Sequence, residues 1–147
     1  MFMRGVIIPN TYIENLFDHL IFLAGPIGGA PSWQDEVIEI LFAISPNLTI
    51  ASPRRGVRDR ISRYIISGDD DFFPRQRAWE NYHLEIASRK GAIMFWLPGE
   101  VEHKCDKSYG AMTRLELGQW MRNQRTCFGS DGKFSEVDTI AYDIRQY

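Results

Sequence analysis

The stretch LIFLAGPIGG, residues 20–29, decides the fold class that the sequence predicts. Its first five residues are all apolar, which is typical of a strand buried on both faces in a parallel sheet. Glycine and proline then end the strand in a tight turn. We expect a helix to follow, with Ser32 as its N-cap and Asp35 completing a pattern that resembles a capping box. The apolar residues of this helix fall on one face, namely Trp33, Val37, Ile40, Leu41 and Ile44.

The rest of the chain repeats this alternation of strands and helices. Apolar runs predict the strands, and apolar residues at helical spacing predict the helices. Strands are expected at residues 48–51, 92–97 and 126–128, and helices from about 74 to 89, 113 to 124 and 137 to 145. This order indicates a single α/β layered domain with a mostly parallel central sheet.

Three loops are candidates for ligand binding, because ligands of such sheets lie beyond the carboxyl ends of the strands. They cover residues 25–32, 52–60 and 98–113. The first contains GPIGGA, whose small residues let a ligand approach the backbone where a helix begins. A tight strand-to-helix turn without a ligand is the alternative interpretation. The loop has neither the dinucleotide-binding nor the P-loop pattern.

The composition excludes several classes of protein. Seventeen Lys and Arg residues against nineteen Asp and Glu give a net charge of −2, so we expect no nucleic-acid partner. Two cysteines and three scattered histidines provide no set of metal ligands, and neither a metal nor a cofactor is expected. No apolar run approaches the ~20 residues that cross a bilayer, and residues 1–9 do not resemble a signal peptide. We therefore expect a cytoplasmic protein with no membrane partner.

Two glutamates are candidates for chemistry. Glu116 is expected in the first turn of a helix, where the helix dipole favours the anionic form that a nucleophile needs. A favourable end charge without chemistry is its alternative interpretation. Glu80 is expected beside the buried Trp79 and Tyr82 face of another helix, and a solvated helix glutamate is the alternative there. If the two carboxylates met in one pocket at roughly 5 Å, they would suit retaining glycosyl transfer.

Arginines are concentrated in the middle of the chain. They are Arg54, Arg55, Arg58, Arg60, Arg63, Arg75 and Arg77. Acidic residues at 59 and 69–71 partly neutralise them, which favours a solvated loop with internal ion pairs over a patch that faces a phosphate or a subunit. Among the tryptophans, Trp96 at the carboxyl end of its strand is the one expected to stack on a nucleobase.

Taken together, these segments resemble nucleoside 2-deoxyribosyltransferases and their relatives, above all the bacterial and phage branch. The resemblance covers about residues 6 to 130 and rests on IFLAGPI at 21–27, SWQ at 32–34, WE at 79–80, FWLP at 95–98 and LELG at 115–118. It implies one flavodoxin-like or Rossmann-like three-layer domain over residues 1–147. It also implies a homo-oligomer with pockets near the subunit contacts.

The same resemblance implies a mechanism and a set of site residues. Glu116 matches the family's nucleophile, which attacks C1′ of a 2′-deoxynucleoside, expels the base and holds the sugar covalently until a second base attacks. Glu80 matches the acid that assists at the base or the sugar. The residues implied to bind the substrate are Ala24, Gly25, Pro26, Trp33, Trp96, Tyr109 and Thr113. The partners are then a nucleoside or nucleotide and a free nucleobase.

Three functions remain open at this point. The first is transfer of a deoxyribosyl group, and the second is hydrolysis of a nucleoside or nucleotide with water as the acceptor. A phosphate-tolerant pocket would favour hydrolysis, and Arg54 or Arg55 would supply the positive charge that the loop at 25–32 lacks. The third is a nucleotide-binding module without turnover, against which the presence of both Glu116 and Glu80 argues. The stretch at 108–113 contains no carboxylate, so the preferred base is also open.

Overall fold

The computed structural model describes residues 5–9, 12–13, 19–54, 72–103 and 106–146. In chain order these residues form β1 (Gly5–Ile7), β2 (Leu20–Ala24), α1 (Trp33–Ile44), β3 (Thr49–Ala51), α2 (Phe72–Lys90), β4 (Gly91–Leu97), α3 (Ala111–Trp120), β5 (Thr126–Ser130) and α4 (Val137–Arg145). All strand pairs are parallel, and the order across the sheet is β1-β3-β2-β4-β5. Helices cover both faces of the sheet, which confirms the predicted three-layer, Rossmann-like α/β fold.

Two clusters of buried side chains attach the helices to the sheet. On one face, Trp33 of α1 packs with Leu23 of β2 and Ile50 of β3. On the other face, Trp79 of α2 and Leu117 of α3 share a core with β2 and β4, and apolar residues of α4 pack against it. β2 and β4 are continuous apolar runs because each is covered by helices on both faces.

Several predicted details of the elements are wrong. β1 was not predicted, because three residues at a sheet edge carry too little pattern to be recognised. Ile40 and Ile44 are 53% and 75% exposed, so the predicted buried face of α1 is wrong at these positions. The helix instead turns its Trp33, Val37 and Leu41 side toward the sheet. Tyr82, expected on the buried face of α2, is 41% exposed.

The crevice at the carboxyl edge of the sheet lies between β2 and β4. From β2 the chain passes to β3 on one side, and it later returns to β4 on the other side. α1 follows β2 on one face of the sheet, whereas α3 follows β4 on the opposite face. The two connections therefore diverge, and the ends of β2 and β4 form the switch point where ligands bind in open α/β sheets.

Some predicted features lie outside the described residues. They include most of the loop at 52–60 and the arginines Arg55, Arg58, Arg60 and Arg63. In the described part of the chain, no helix is long and apolar enough to cross a membrane. Across those same ranges, His, Cys, Asp and Glu side chains form no group of three that could hold a metal ion.

Candidate active site

Glu80 is positioned by α2, which packs lengthwise on the sheet. β4 begins directly after Lys90, so the first half of α2 lies toward the carboxyl edge of the parallel strands. Trp79 anchors that half because its ring is fully buried and lies 6.0 Å from the ring of Phe22 in β2. Glu80 follows Trp79 and is itself only 7% exposed. The alternative interpretation of Glu80 as a solvated helix residue is therefore wrong.

Glu116 is positioned by the buried face of α3, which consists of Thr113, Glu116 and Leu117. Gly110 adopts a left-handed conformation at φ 69°, and the helix begins directly after it at Ala111. The prediction that Glu116 lies in the first turn is therefore wrong, since this residue falls in the second turn. The unpaired N–H groups at the start of the helix are therefore too far along the chain to stabilise a negative charge on Glu116, and another group must stabilise it.

Arg77 is that group, and it joins the two glutamates. Its Nη1 donates a hydrogen bond to Oε1 of Glu116 at 2.7 Å and another to Oε2 of Glu80. The side chains of Arg77, Glu80 and Glu116 are 17%, 10% and 8% exposed, so the ion pairs are shielded from solvent. Gln76 supports the cluster by donating from Nε2 to Oε1 of Glu80 at 3.1 Å. The structure therefore brings together both predicted catalytic glutamates.

The protonation of Glu116 is shifted by this environment. Burial, and after it the negative charge of Glu80, raise the pKa of Glu116 from its usual 4.5 to about 7, although Arg77 acts to lower it. Burial alone would lower the pKa of Arg77, but its hydrogen bond to Glu116 and the charge of Glu80 outweigh burial and raise it. Arg77 stays charged, whereas Glu116 exchanges a proton near neutral pH.

The geometry of the two carboxyl groups suits displacement at a sugar carbon. One nitrogen of Arg77 binds an oxygen of each glutamate. Two oxygens that bind the same nitrogen lie at most about 5 Å apart, so the two carboxyl groups are near enough for the close spacing that retaining glycosidases use. One carboxylate can then attack a carbon while the other carboxyl group manages a proton.

The turn after β2 is packed tightly against its neighbours. A Cβ added at Gly25 would lie 2.3 Å from the carbonyl oxygen of Trp96 and 2.6 Å from the ring of Trp33, so only glycine fits there. The indole Nε1 of Trp33 donates to the carbonyl oxygen of Pro26 at 2.9 Å. The fully buried Gln34 donates to the same oxygen at 3.4 Å. Ala24 is fully buried at the end of β2.

The three candidate loops meet at the carboxyl edge, as far as the structure describes them. Arg54, after β3, donates from Nη2 to the hydroxyl oxygen of Ser32 at 2.7 Å. Val101 and Glu102, after β4, donate from their backbone N–H groups to the carbonyl oxygen of Gly29 at 2.8 and 3.2 Å. Ser32 makes no capping hydrogen bond to α1, so its predicted capping role is wrong. The hydroxyl oxygen of Ser32 accepts the hydrogen bond from Arg54 instead.

The remaining predicted binding residues have different surroundings. Trp33 and Trp96 pack on the α1 face of the sheet, whereas α2 and α3 carry the glutamates on the other face. Tyr109 donates its hydroxyl hydrogen to the carbonyl oxygen of Pro98 at 2.7 Å. Burial and the charges of nearby acids raise the pKa of Tyr109 to about 12, so it remains a donor. Thr113 shares the buried face of α3 with Glu116.

Sequence reasoning missed Arg77 and Gln76 as site residues. Part of the signal was present, because Arg77 and Gln76 precede Glu80 by three and four residues and so share its side of a helix. The contact between Arg77 and Glu116 joins two residues that are 39 positions apart in the chain and lie on different helices. Neither helical periodicity nor local charge pattern can predict such a contact.

Comparison with known proteins does not identify the chain. No protein-family model matches it, and no curated protein shows significant similarity to it. The site is therefore defined by its own geometry, an α/β sheet with a shielded cluster of Arg77, Glu80 and Glu116.

Proposed function

We propose that this protein transfers a 2-deoxyribosyl group between nucleobases through a covalent intermediate on Glu116. The observation that supports the proposal is the shared contact of Glu80 and Glu116 with Arg77, in a setting shielded from solvent. The motifs that resemble nucleoside 2-deoxyribosyltransferases supply the substrate class. In that proposal the partners are a nucleoside or nucleotide and a free nucleobase, and the protein is a cytoplasmic homo-oligomer.

The proposed reaction consists of two displacements at C1′. In the first, an oxygen of anionic Glu116 forms a bond to C1′ while the bond from C1′ to the base nitrogen breaks. The bonding electron pair leaves with the base, which takes up a proton from solvent, and Glu80 assists this step by positioning the base or the sugar. In the second, a nitrogen of another base attacks C1′, gives up its proton to solvent and releases the Glu116 carboxylate, so the configuration is retained.

The pKa of Glu116 is consistent with this role. A carboxyl group that titrates at about 7 is anionic in about half of the molecules at neutral pH. The ionised form is buried and poorly solvated, which makes its oxygen more reactive than that of an exposed glutamate. Arg77 stabilises that anion sufficiently for it to exist inside the protein.

Hydrolysis of a nucleotide is the second candidate function, and the position of Arg54 favours it. Its guanidinium group lies where the loops after β2 and β3 meet and is held there by Ser32. A cation at the carboxyl edge of the sheet suits a 5′-phosphate group. Water would then replace the second base as the acceptor from Glu116.

An exchange assay tests these functions together. The protein is incubated with a 2′-deoxynucleoside, or with its 5′-monophosphate, in the presence and absence of a second free base, and the products are separated by chromatography. We expect base exchange, and we expect Glu116→Ala to abolish it. Release of free deoxyribose or its phosphate would favour hydrolysis. Tight binding without either product would refute both catalytic functions and favour a binding module.

The exposed glutamate Glu85 provides a matched control for this assay. It lies on the same helix as Glu80 and pairs with Arg89 at 2.7 Å, and its side chain is 53% exposed. Glu85→Ala should leave the exchange rate within about twofold of wild type, because surface pairs of this kind contribute little to stability. A loss in Glu85→Ala as large as that in Glu116→Ala would show that the assay reports damage to the fold.

A further inference from the structure

We propose that Arg77 is a positioning residue, which stabilises the anionic form of Glu116 and holds its side chain ready to attack. The effect of Arg77 on catalysis rests on the proposed function, whereas its effect on the titration of Glu116 does not. The geometry on which it depends is the contact of one guanidinium nitrogen with an oxygen of each carboxyl group. Because α2 carries Arg77 and Glu80 while α3 carries Glu116, this contact also joins the two helices.

The charge count of the cluster makes Arg77 decisive. Two carboxylates and one guanidinium group carry a net charge of −1 when all are ionised, and one shared proton makes the cluster neutral. Two shielded carboxylates without a cation would repel one another, and one of them would stay protonated well above neutral pH. With Arg77 present, the proton can leave near neutrality, and the resulting anion is available for displacement.

The charged groups that act on Glu116 within the described residues are Arg77 and Glu80, both from α2. Arg114, on the same helix as Glu116, is directed elsewhere. Its Nη2 donates to the carbonyl oxygen of Ser135 at 2.8 Å, and its guanidinium carbon lies 4.3 Å from the ring centre of Phe134. Arg77 is therefore the residue whose substitution should change the titration of Glu116.

Arg77 also restricts the direction of the Glu116 side chain. A glutamate has three rotatable bonds, and burial alone does not select one orientation. The 2.7 Å hydrogen bond fixes Oε1, so the other oxygen has a defined position relative to Glu80. Fixing a nucleophile before the substrate arrives lowers the barrier of the chemical step rather than strengthening substrate binding.

Two variants of Arg77 and one control test the proposal. Arg77→Gln keeps hydrogen-bond donors but removes the charge, and Arg77→Lys keeps the charge but not the fork of donors. Arg89→Gln is the matched control, because Arg89 forms an exposed pair with Glu85 on the same helix. The carboxyl carbons of glutamate are labelled with carbon-13, and the titration of Glu116 is followed by NMR without substrate. Glu116→Gln assigns the signal.

We expect Arg77→Gln to raise the apparent pKa of Glu116 by about one to two units and Arg77→Lys to raise it by less than half as much. An increase of that size lowers the anionic fraction at pH 7 from about one half to between about one tenth and one hundredth. The value of kcat at pH 7 should then fall about fivefold to fiftyfold in Arg77→Gln, while KM changes by less than about threefold. The acidic limb of the pH–rate profile should move with the NMR titration.

The outcomes separate this proposal from the proposed function. A titration of Glu116 that is unchanged in Arg77→Gln, or that moves as much in Arg89→Gln, would overturn the role of Arg77. A full shift in Arg77→Lys would overturn the role of its charge. If wild type catalyses no exchange or hydrolysis, the proposed function fails, and the titration still decides whether Arg77 governs Glu116.

Discussion

Replacing Glu116 by glutamine should stabilise the fold at alkaline pH. The ionised form of Glu116 is unfavourable in the folded protein, because burial and Glu80 raise its pKa from 4.5 to about 7. A group whose pKa is raised on folding adds stability below its unfolded pKa and loses that contribution as the pH rises through its folded pKa. Wild type should therefore lose stability between about pH 4.5 and pH 8, and Glu116→Gln should not.

The magnitude follows from the size of the pKa increase. A rise from 4.5 to about 7 is 2.5 units, which corresponds to roughly 3 kcal/mol at 1.36 kcal/mol per unit. Glutamine has nearly the shape of glutamate and stays neutral at every pH. Arg77 is not left unpaired in the variant, because its hydrogen bond to Glu80 remains. We expect Glu116→Gln to be more stable than wild type by up to about 3 kcal/mol at pH 8 and nearly equal to it at pH 4.5.

Urea unfolding at several pH values measures this difference. Circular dichroism follows the transition, and the free energy of unfolding is extrapolated to zero urea for each protein. Glu85→Gln is the control, since its exposed side chain should give a change within about 0.5 kcal/mol at every pH. A stability difference that does not depend on pH, or a Glu116→Gln variant that is less stable at pH 8, would refute this account of the buried carboxylate.

Three other predictions concern Gly25, His83 and Glu80. Gly25→Ala should lower the free energy of unfolding by about 1–3 kcal/mol, because the added Cβ would lie 2.3 Å from the carbonyl oxygen of Trp96. Urea unfolding measures this loss, and an unchanged midpoint would contradict the tight packing at Gly25. The fully buried His83 accepts a hydrogen bond from the Ile13 N–H at Nε2, and Nδ1 lies 2.8 Å from the carbonyl oxygen of Trp79. Because burial lowers the pKa of His83 below 6.5, nitrogen-15 NMR should show a neutral ring with its proton on Nδ1 at pH 7, whereas a charged ring there would contradict it. Glu80→Gln should slow base release by about 10²-fold or more in a single-turnover measurement, and an unaltered rate would leave Glu80 without a catalytic role.

The sheet was predictable from sequence because its central strands carry strong patterns. LIFLA at residues 20–24 and the apolar run that ends at Leu97 are covered on both faces, so neither needs a polar side. The edge strand Gly5–Ile7 has three residues and no such pattern, and it was missed. A strand that is more fully buried has a longer apolar run in its sequence, and the most fully buried strands lie at the centre of the sheet.

Errors at the helix ends come from competing contacts that are distant in sequence. Ser32 has the right residue type for a cap, but Arg54 binds its hydroxyl group across the loop. The start of α3 depends on the left-handed Gly110, and a Cβ there would lie 2.8 Å from the ring of Phe134. Because the helix begins earlier than predicted, Glu116 lies in its second turn and depends on Arg77 rather than on the helix dipole.

The make-up of the cluster was only partly predictable from sequence. Residue type and motif order singled out Glu80 and Glu116 as candidates, and the structure places both of them against Arg77. The role of Arg77 depends on its contact with Glu116, which forms only when α2 and α3 pack together. The local sequence of neither helix indicates this contact. The surrounding acidic residues favoured an ordinary solvated loop for the arginines of this region.

Mass spectrometry of the protein during turnover tests the covalent step on Glu116 most directly. The protein is mixed with a 2′-deoxynucleoside, quenched in acid within the first turnover and digested, with Glu116→Gln treated in parallel. The proposed mechanism predicts that the peptide containing Glu116 gains the mass of one deoxyribosyl group, and that the gain is absent in Glu116→Gln and disappears when a second base is added. Base exchange without this adduct, or an adduct on another residue, would contradict it.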